Sequence, residues 1–527
     1  MPTHAEVMAA VLAERGVEYI FGLPGGEIVA FIDACRRAGL RFLLTGHEAS
    51  AAWMAQVVGQ ITGVPGVCAT TLGPGATNLA TGIANAWLDR APMLAVTAEI
   101  PEASYATLTH QRVPLRALFG PITKRTATIG SRDTADLVNE SLDLAARPRP
   151  GPLHLALPSD LAVKQCAGSG PVRQAPLGLA QEEAPLDRIV ACLESAARPL
   201  VLIGLGATPA AAPAIRALLA KLQAPFLVSP KAKGIVPEDD PLFLGVATGM
   251  AIDKDILETI RSADLVLAIG FDPVECDKTW FADIDIVAID SCSMAEGRYQ
   301  PDQAIGDIES LVTRLAAAIT LTKPWPGDLL ERRRQAILRT PSATKQGLSP
   351  LRVIEELRSV LPRDGIATCD VGSHKLLMGQ FWRAYEPGTF FMSNGLSGMG
   401  FGIPAAIAAQ LVSPDKPVLA VVGDGGMLMM LHDLALIREL KLPVIVVVLS
   451  DGSLSLIRLS AERRGFSPYG VDFQPPDFRA IAEAFGIAGK RVSDIAELRD
   501  SVDQALSDRC ATVIDVLIDY REYGLLV

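Results

Sequence analysis

Apolar residues fall into two alternating patterns along the chain. Short runs such as FLL (42–44), GVCAT (66–70), MLAV (93–96) and LHLAL (153–157) are separated by stretches whose apolar positions recur every three to four residues. The runs have the length of strands, and the stretches between them have the period of amphipathic helices. Strands alternating with helices predict a parallel, doubly wound sheet. Residues 1–165 read as one such domain. Residues 166–185, containing Gly, Pro and Gln, break the pattern as a linker. A second set, PLVLI (199–203), PFLV (225–228), DLVLAI (264–269) and DIVAI (285–289), defines a domain over 186–321. The polar segment 322–347, with TKPWPGD and a basic helix ERRRQ, reads as a second linker. IAT (366–368), the run 417–422, the run 443–449 and the run 511–517 then mark a third domain over 348–527. The fold class is therefore α/β, with three doubly wound parallel-sheet domains. No short-period repeat is visible, so a duplication between the first and third domains would be structural only.

A chain of 527 residues suits roughly three or four domains, and 49% hydrophobic residues supply ample core. No apolar run approaches the roughly 20 residues of a bilayer span, so no membrane helix is expected. The start, MPTHAE, lacks the basic region and apolar block of a signal peptide, and a cytoplasmic protein is expected. The eight cysteines form no CxxC pair and read as reduced core thiols. A net charge of −11 argues against a nucleic-acid partner, which needs a clustered basic surface.

Candidate chemistry starts at GDGGMLMML (423–431), where a predicted strand ends in three glycines around one aspartate. Asp424 and Asp451 lie 27 residues apart (424 to 451). One strand, a helix over about 427–440 and a second strand fill that interval. A right-handed βαβ unit returns the chain to the same sheet edge, so both aspartates fall at carboxyl ends of parallel strands, where open α/β sheets bind ligands. Gly425 and Gly426 would let backbone amides approach a phosphate, and a cation such as Mg²⁺ would relieve the repulsion of two carboxylates. On spacing alone, a capping aspartate and an unrelated loop aspartate remain equally open.

GDGG followed by SDGS (450–453) resembles the thiamin-diphosphate motif, which starts with GDG and ends in an Asn pair or Asn-Asp. The resemblance implies that Asp424, Asp451 and the carbonyl of Ser453 bind Mg²⁺ or Ca²⁺ and anchor the diphosphate. This chain departs from the motif in carrying Ser450 where Asn is usual and Asp451 as the ligand. TGHEASAAW puts Glu48 at the start of a helix, where it could be only a first-turn acid favoured by the helix dipole. Its neighbours Ala49, Ala51, Ala52 and Trp53 suit a poorly solvated carboxylate. Thiamin enzymes carry one glutamate at this place, hydrogen-bonded to N1′ of the aminopyrimidine.

The resemblance extends over the chain. FGLPGGEI (21–28), TTLGPGATN (70–78), NAWLDRAPMLAVT (85–97), HQRV (110–113), PITKR (121–125), GPLHLALPSD (151–160), DVGSHK (370–375) and SNGLSGMGFGIPAA (393–406) are similar to segments of the acetolactate synthases. By position the resemblance implies that Gly372, Ser373 and His374 hold the diphosphate with Gly425 and Gly426. Gly25 and Pro74 fall at cofactor positions, and Met399 at that of the apolar wedge under the cofactor. Each alternative is blander: a core methionine for Met399, a core or capping histidine for His374. The family builds its sites across two subunits, which implies a homodimer or homotetramer.

Thiamin enzymes differ in what captures the unit left after a 2-oxo acid loses carbon dioxide: a proton, a second carbonyl or an electron acceptor. The His-His pair of pyruvate decarboxylases is absent. Benzoylformate-type enzymes have Ser where this chain has Gly26. Gln111 matches a glutamine placed by the reacting carbon of acetolactate synthases, its alternative being a surface loop residue. GFDPVECD (270–277) replaces the GARFDD-like segment of FAD-containing synthases and resembles the FAD-free, catabolic ones; Asp272 and Glu275 would repel an anionic cofactor, so FAD is not expected. GLGA (204–207) is a plain turn or a weak dinucleotide fingerprint. Leu456, Ile457 and Ser460 are expected around the acceptor pocket, Leu456 and Ile457 with core packing as their alternative. Anabolic synthases place Trp at the position of Ser460, favouring 2-oxobutyrate. The reading is a carboligase acting on pyruvate or a similar 2-oxo acid and a second carbonyl. A decarboxylase or other C–C lyase is the first alternative, followed by a nicotinamide-dependent dehydrogenase and a non-catalytic thiamin-diphosphate-binding protein.

Overall fold

The computed structural model of the chain describes residues 1–166, 186–247, 249–276, 280–281, 284–320, 322–338 and 347–526. Among them lie three six-stranded sheets in which every named pairing is parallel. The first comprises β1 (Tyr19–Leu23), β2 (Arg41–Leu44), β3 (Gly66–Thr70), β4 (Met93–Glu99), β5 (Thr126–Thr128) and β6 (Pro152–Pro158), in the order 2-1-3-4-6-5. The second comprises β7 (Pro199–Ile203), β8 (Phe226–Val228), β9 (Phe243–Val246), β10 (Leu265–Ile269), β11 (Ile286–Asp290) and β12 (Asp302–Ile305), in the order 12-11-10-7-8-9. The third comprises β13 (Ile366–Cys369), β14 (Phe390–Met392), β15 (Val418–Gly423), β16 (Val444–Ser450), β17 (Ala488–Val492) and β18 (Thr512–Leu517), in the order 14-13-15-16-18-17. Subtracting twelve from the third order gives the first, so the two sheets share one topology that no sequence repeat betrays.

Burial explains which strands are visible in the sequence. β3, β6, β7, β10, β13 and β16 are buried along their whole length, as parallel strands covered on both faces must be, and they read as unbroken apolar runs. Strands β5, β9, β12, β14 and β17 lie at sheet edges and are short or polar, as in Asp302–Ile305 and Ala488–Val492. β1 is internal but contains Gly22, where an added Cβ would fall 1.9 Å from the Ala69 carbonyl oxygen. Only glycine permits that approach of β1 to β3.

The chain forms two compact units. Residues 1–166 belong to the first together with Gly395–Pro414 and Met430–Leu442; the remaining described residues from 186 onward form the second, which holds the second and third sheets. In the first unit, helix Glu48–Thr62 is buried over nearly all of its length and packs on helix Gly402–Val412, itself almost wholly apolar. In the second, the segment 322–347 carries helix Gly327–Leu338; Trp325 just before it is buried and donates its indole N–H to the Pro199 carbonyl at 2.7 Å. Most of the expected first linker, 167–185, lies outside the described residues. No helix among the described residues is long and apolar enough to cross a membrane.

Candidate active site

In the first unit the loops after β1, β2 and β3 converge. Glu48 opens helix Glu48–Thr62 behind the N-cap His47, whose Nδ1 accepts the Ala49 amide at 3.0 Å. The Glu48 residue is only 5% exposed, and Oε2 accepts a hydrogen bond from Asn78 Nδ2 at 3.0 Å. A Cβ on Gly75 would stand 3.4 Å from Glu48 Oε1 and 2.4 Å from Thr70 Oγ1, so the second glycine of GPG lets helix Pro74–Leu88 begin against the carboxylate. Gly73 gives equal room to Gln111: its Cβ would lie 2.8 Å from that of Gln111. Gln111 is exposed and has φ +55°, an uncommon backbone state for a non-glycine residue. Gly25 abuts Thr71, whose hydroxyl donates to Glu27 at 2.8 Å, while Pro74 and Gly26 are exposed. Glu48, Gln111, Gly25 and Pro74 are thus brought to one sheet edge. Asn78, Thr71 and Glu27 were not among the residues expected there. TTLGPGATN contained the signal for Asn78, since a helical turn after GPG faces the same way as the loop.

The GDGG segment differs from the expected single helix. A helix begins at Asp424 itself (Asp424–Met429) and a separate one follows at Asp433–Leu440. Asp424 ties the ends of β15 and β16 together. Oδ1 accepts the Gly425 amide at 2.8 Å, and Oδ2 accepts the amides of Gly452 at 2.7 Å and Asp451 at 3.1 Å. Asp451 accepts the Ser453 amide at 2.9 Å through Oδ1 and the Ser455 hydroxyl through Oδ2. Burial raises the pKa of Asp424 against these amide bonds; burial, and then the nearby Asp424 charge, push that of Asp451 up to about 7. Ser450, in the place of Asn, donates to buried Asp515 at 2.5 Å.

The loop after β13 supplies a second cradle. Gly372 caps helix Ser373–Phe381, and the Ser373 hydroxyl and His374 Nε2 are buried without a hydrogen-bond partner. Buried polar atoms left unpaired are costly, and both fit an anionic group that would complete them. A Cβ on Gly426 would meet Asp370 Oδ2 at 2.1 Å, so glycine is required where the two loops meet. No cluster of three or more His, Cys, Asp or Glu side chains forms a metal site among the described residues. The available donors are two carboxylates and a carbonyl, an all-oxygen set that fits a hard divalent cation keeping other ligands from phosphate or water.

Burial pushes the His374 pKa down to about 4 from 6.5. The folded chain therefore leaves this imidazole neutral while the unfolded chain protonates it, and stability falls as pH drops from about 6.5 towards 4, by at most ~1.4 kcal/mol per pH unit. H374N is expected to flatten that part of the profile, as read from urea unfolding of the cofactor-free protein at pH 7 and pH 5.

The central sheet has its own crevice at the switch point between β7 and β10, the usual nucleotide position. Glu275 fills it. Its carboxylate accepts the Leu205 amide at 3.0 Å and the Lys231 amide at 3.1 Å, and burial raises its pKa to about 7. Gly204 and Gly206 press directly on the backbone at 270–271. The amides of Leu205 and Lys231 in this crevice are thus taken by a side chain. Asp272 is buried beside it and accepts the Val274 amide at 3.0 Å.

Met399 lies half-buried in the loop before helix Gly402–Val412, between Ser397 at φ +56° and Gly400 at φ +96°, rather than in the core. Leu456 and Ile457 follow Ser455 on helix Ser455–Arg463; Leu456 is half-buried, Ile457 is 55% exposed and Ser460 is exposed, whereas Leu459 turns into the core. On the face expected to meet an acceptor, Ile457 and Ser460 thus remain exposed.

Comparisons with known proteins identify the family. Residues 2–117 match the family described as thiamine pyrophosphate enzyme, N-terminal TPP binding domain; 186–315 match its central domain and 370–516 its C-terminal TPP binding domain. The chain is a three-domain thiamin-diphosphate enzyme. It is 33% identical to an acetolactate synthase of Bacillus subtilis, over 98% of this chain and 93% of the relative. A catabolic acetolactate synthase of Raoultella terrigena is 30% identical over 99% and 96%, and the acetolactate synthase isozyme 2 large subunit of Escherichia coli is 30% identical over 98% and 96%. The chain belongs to the acetolactate synthase family.

Proposed function

We propose that the chain decarboxylates pyruvate or a similar 2-oxo acid and joins the resulting two-carbon unit to a second carbonyl, using thiamin diphosphate and Mg²⁺ or Ca²⁺. The observation that carries this reading is a family resemblance over the whole chain combined with a nearly buried Glu48 aimed by Asn78. Thiamin diphosphate, when bound, supplies the carbanion-stabilising chemistry that 2-oxo acid cleavage needs. Asp424, Asp451 and the Ser453 carbonyl would hold the cation. Ser373, His374 and the amides at 425–426 would hold the diphosphate. Glu48 would exchange a proton with N1′ of the aminopyrimidine, and Gln111 would orient the reacting carbonyl. The Glu275-filled crevice supports an enzyme that works without FAD. A homodimer or homotetramer in the cytoplasm completes the reading.

Incubating the pure protein with pyruvate, thiamin diphosphate and Mg²⁺ tests it by mass-spectrometric product identification. Acetolactate is expected; acetaldehyde alone would make the enzyme a decarboxylase. The open helix face at Ser460 leads to a narrower expectation. S460W fills space beside the acceptor and should move product from acetolactate towards the 2-oxobutyrate adduct in a competition of the two acceptors. One reshaped apolar contact commonly changes such a ratio about 10- to 200-fold.

A further inference from the structure

Ser50 lies two residues after Glu48, in the same helical turn, and is fully buried. Its hydroxyl faces three groups of the segment 430–433: Asp433 Oδ2 at 2.9 Å, His432 Nε2 at 3.2 Å and Met430 Sδ at 3.4 Å. Asp433 opens helix Asp433–Leu440, is 0% exposed, and has an Oδ1 without a hydrogen-bond partner that faces His432 Nε2 at 3.4 Å. Burial raises its pKa to about 7, opposed by the Ser50 hydrogen bond. An apolar side chain would fill this position at lower cost, so simple packing does not account for a carboxyl group here.

The neighbouring residues show what the group holds. His432 stands so close to Gly46 that a Cβ there would meet the ring at 2.5 Å. The ring of His432 also lies 6.3 Å from that of His47, centroid to centroid. The stretch 46–50 is thus gripped at Gly46, His47 and Ser50, and Glu48 is carried between those contacts towards Asn78. Helix Gly402–Val412, packed on the same helix, carries no ionisable side chain; the ionisable group facing Asp433 among the described residues is His432, whose ring in turn neighbours that of His47.

We propose that Asp433 is a positioning residue which, through Ser50 and with His432, fixes the first turn of helix Glu48–Thr62 and so sets the aim of the Glu48 carboxylate. The proposal rests on Glu48 serving the thiamin ring. A carboxylate displaced by about 1 Å can cost on the order of 10² in rate. The hydrogen-bonded pair acts as one device, so breaking it from either side has the same consequence.

The test compares S50A, D433A, the double variant S50A/D433A and D433N as holoenzymes, with E48Q beside them. S50A and D433A are each expected to lower kcat about 10²-fold with KM for pyruvate little changed, and to displace the acid limb of the kcat/KM profile. The double variant should be no slower than either single one. D433N keeps an oxygen that accepts from Ser50 and should recover most of the D433A loss. In the cofactor-free protein, S50A should also speed amide hydrogen exchange at 46–54. Rate losses that multiply in the double variant, or a lowered Tm with turnover and acid limb unchanged, would overturn the proposal. An inactive Ser50 series beside a fully active E48Q would instead overturn the role of Glu48, with hydrogen exchange in the cofactor-free protein still deciding whether Asp433 holds the turn.

Discussion

E48Q is expected to reduce turnover about 10²- to 10⁴-fold, the range for losing a positioned general acid–base group, with Tm and metal-dependent cofactor binding close to those of the parent. Glutamine preserves the shape and one acceptor oxygen, so Asn78 keeps its partner at Oε2. On the proposed role, what it loses is the ability to take up and release a proton at N1′. A plain capping role for Glu48 predicts the opposite pattern. Removing the first-turn charge would then cost about 0.3–1 kcal/mol of stability and leave turnover intact. Single-turnover rate and thermal unfolding, measured on the same preparation, separate the two. The burial of Glu48 and the close approach of Gly75 already weigh against a solvated cap.

The sequence made the chemistry easier to read than the strands that support it. Asp424, Asp451, Glu48 and the glycines stand in motifs of unusual residue types; Asp424 and Asp451 follow the long apolar runs of β15 and β16, whereas Glu48 follows the largely exposed β2 and is legible from its motif alone. Edge strands such as Asp302–Ile305 and Ala488–Val492 have one unpaired side and half-polar faces, so nothing in them exceeds the signal of a loop. The duplicated sheet order of the first and third domains was illegible because topology can persist where residue identities do not. The break at 430–432 between two short helices was also hidden, because the apolar period runs through it. Asn78 and Asp433 escaped notice for a related reason: each acts on Glu48 across the fold, 30 and 385 residues away in sequence (78 − 48 and 433 − 48). Spacing rules within one element do not reach that far.

D424N is expected to weaken metal-dependent binding of thiamin diphosphate by at least about 10²-fold, since even outer-shell partners of a metal are worth about 10- to 100-fold, whereas D451N should stay within about tenfold of the parent. The asymmetry follows from what each carboxylate does. Asp424 accepts three backbone amides, Gly425 on one oxygen and Asp451 with Gly452 on the other. An amide at 424 must turn an NH₂ towards one of those N–H groups, which breaks a tie between β15 and β16 and removes a negative ligand together. Asp451 accepts one amide, from Ser453, and one hydroxyl, from Ser455. A serine hydroxyl can rotate to accept instead of donate, so Asn at 451 remains satisfied and still offers an oxygen to the cation. The resemblance points the same way, because related motifs carry Asn at this ligand position. Titrating the cofactor at fixed Mg²⁺, with Tm measured on the cofactor-free variants, provides the check. Equal losses for D424N and D451N would mean that charge alone holds the cation and that the amide network around Asp424 contributes nothing.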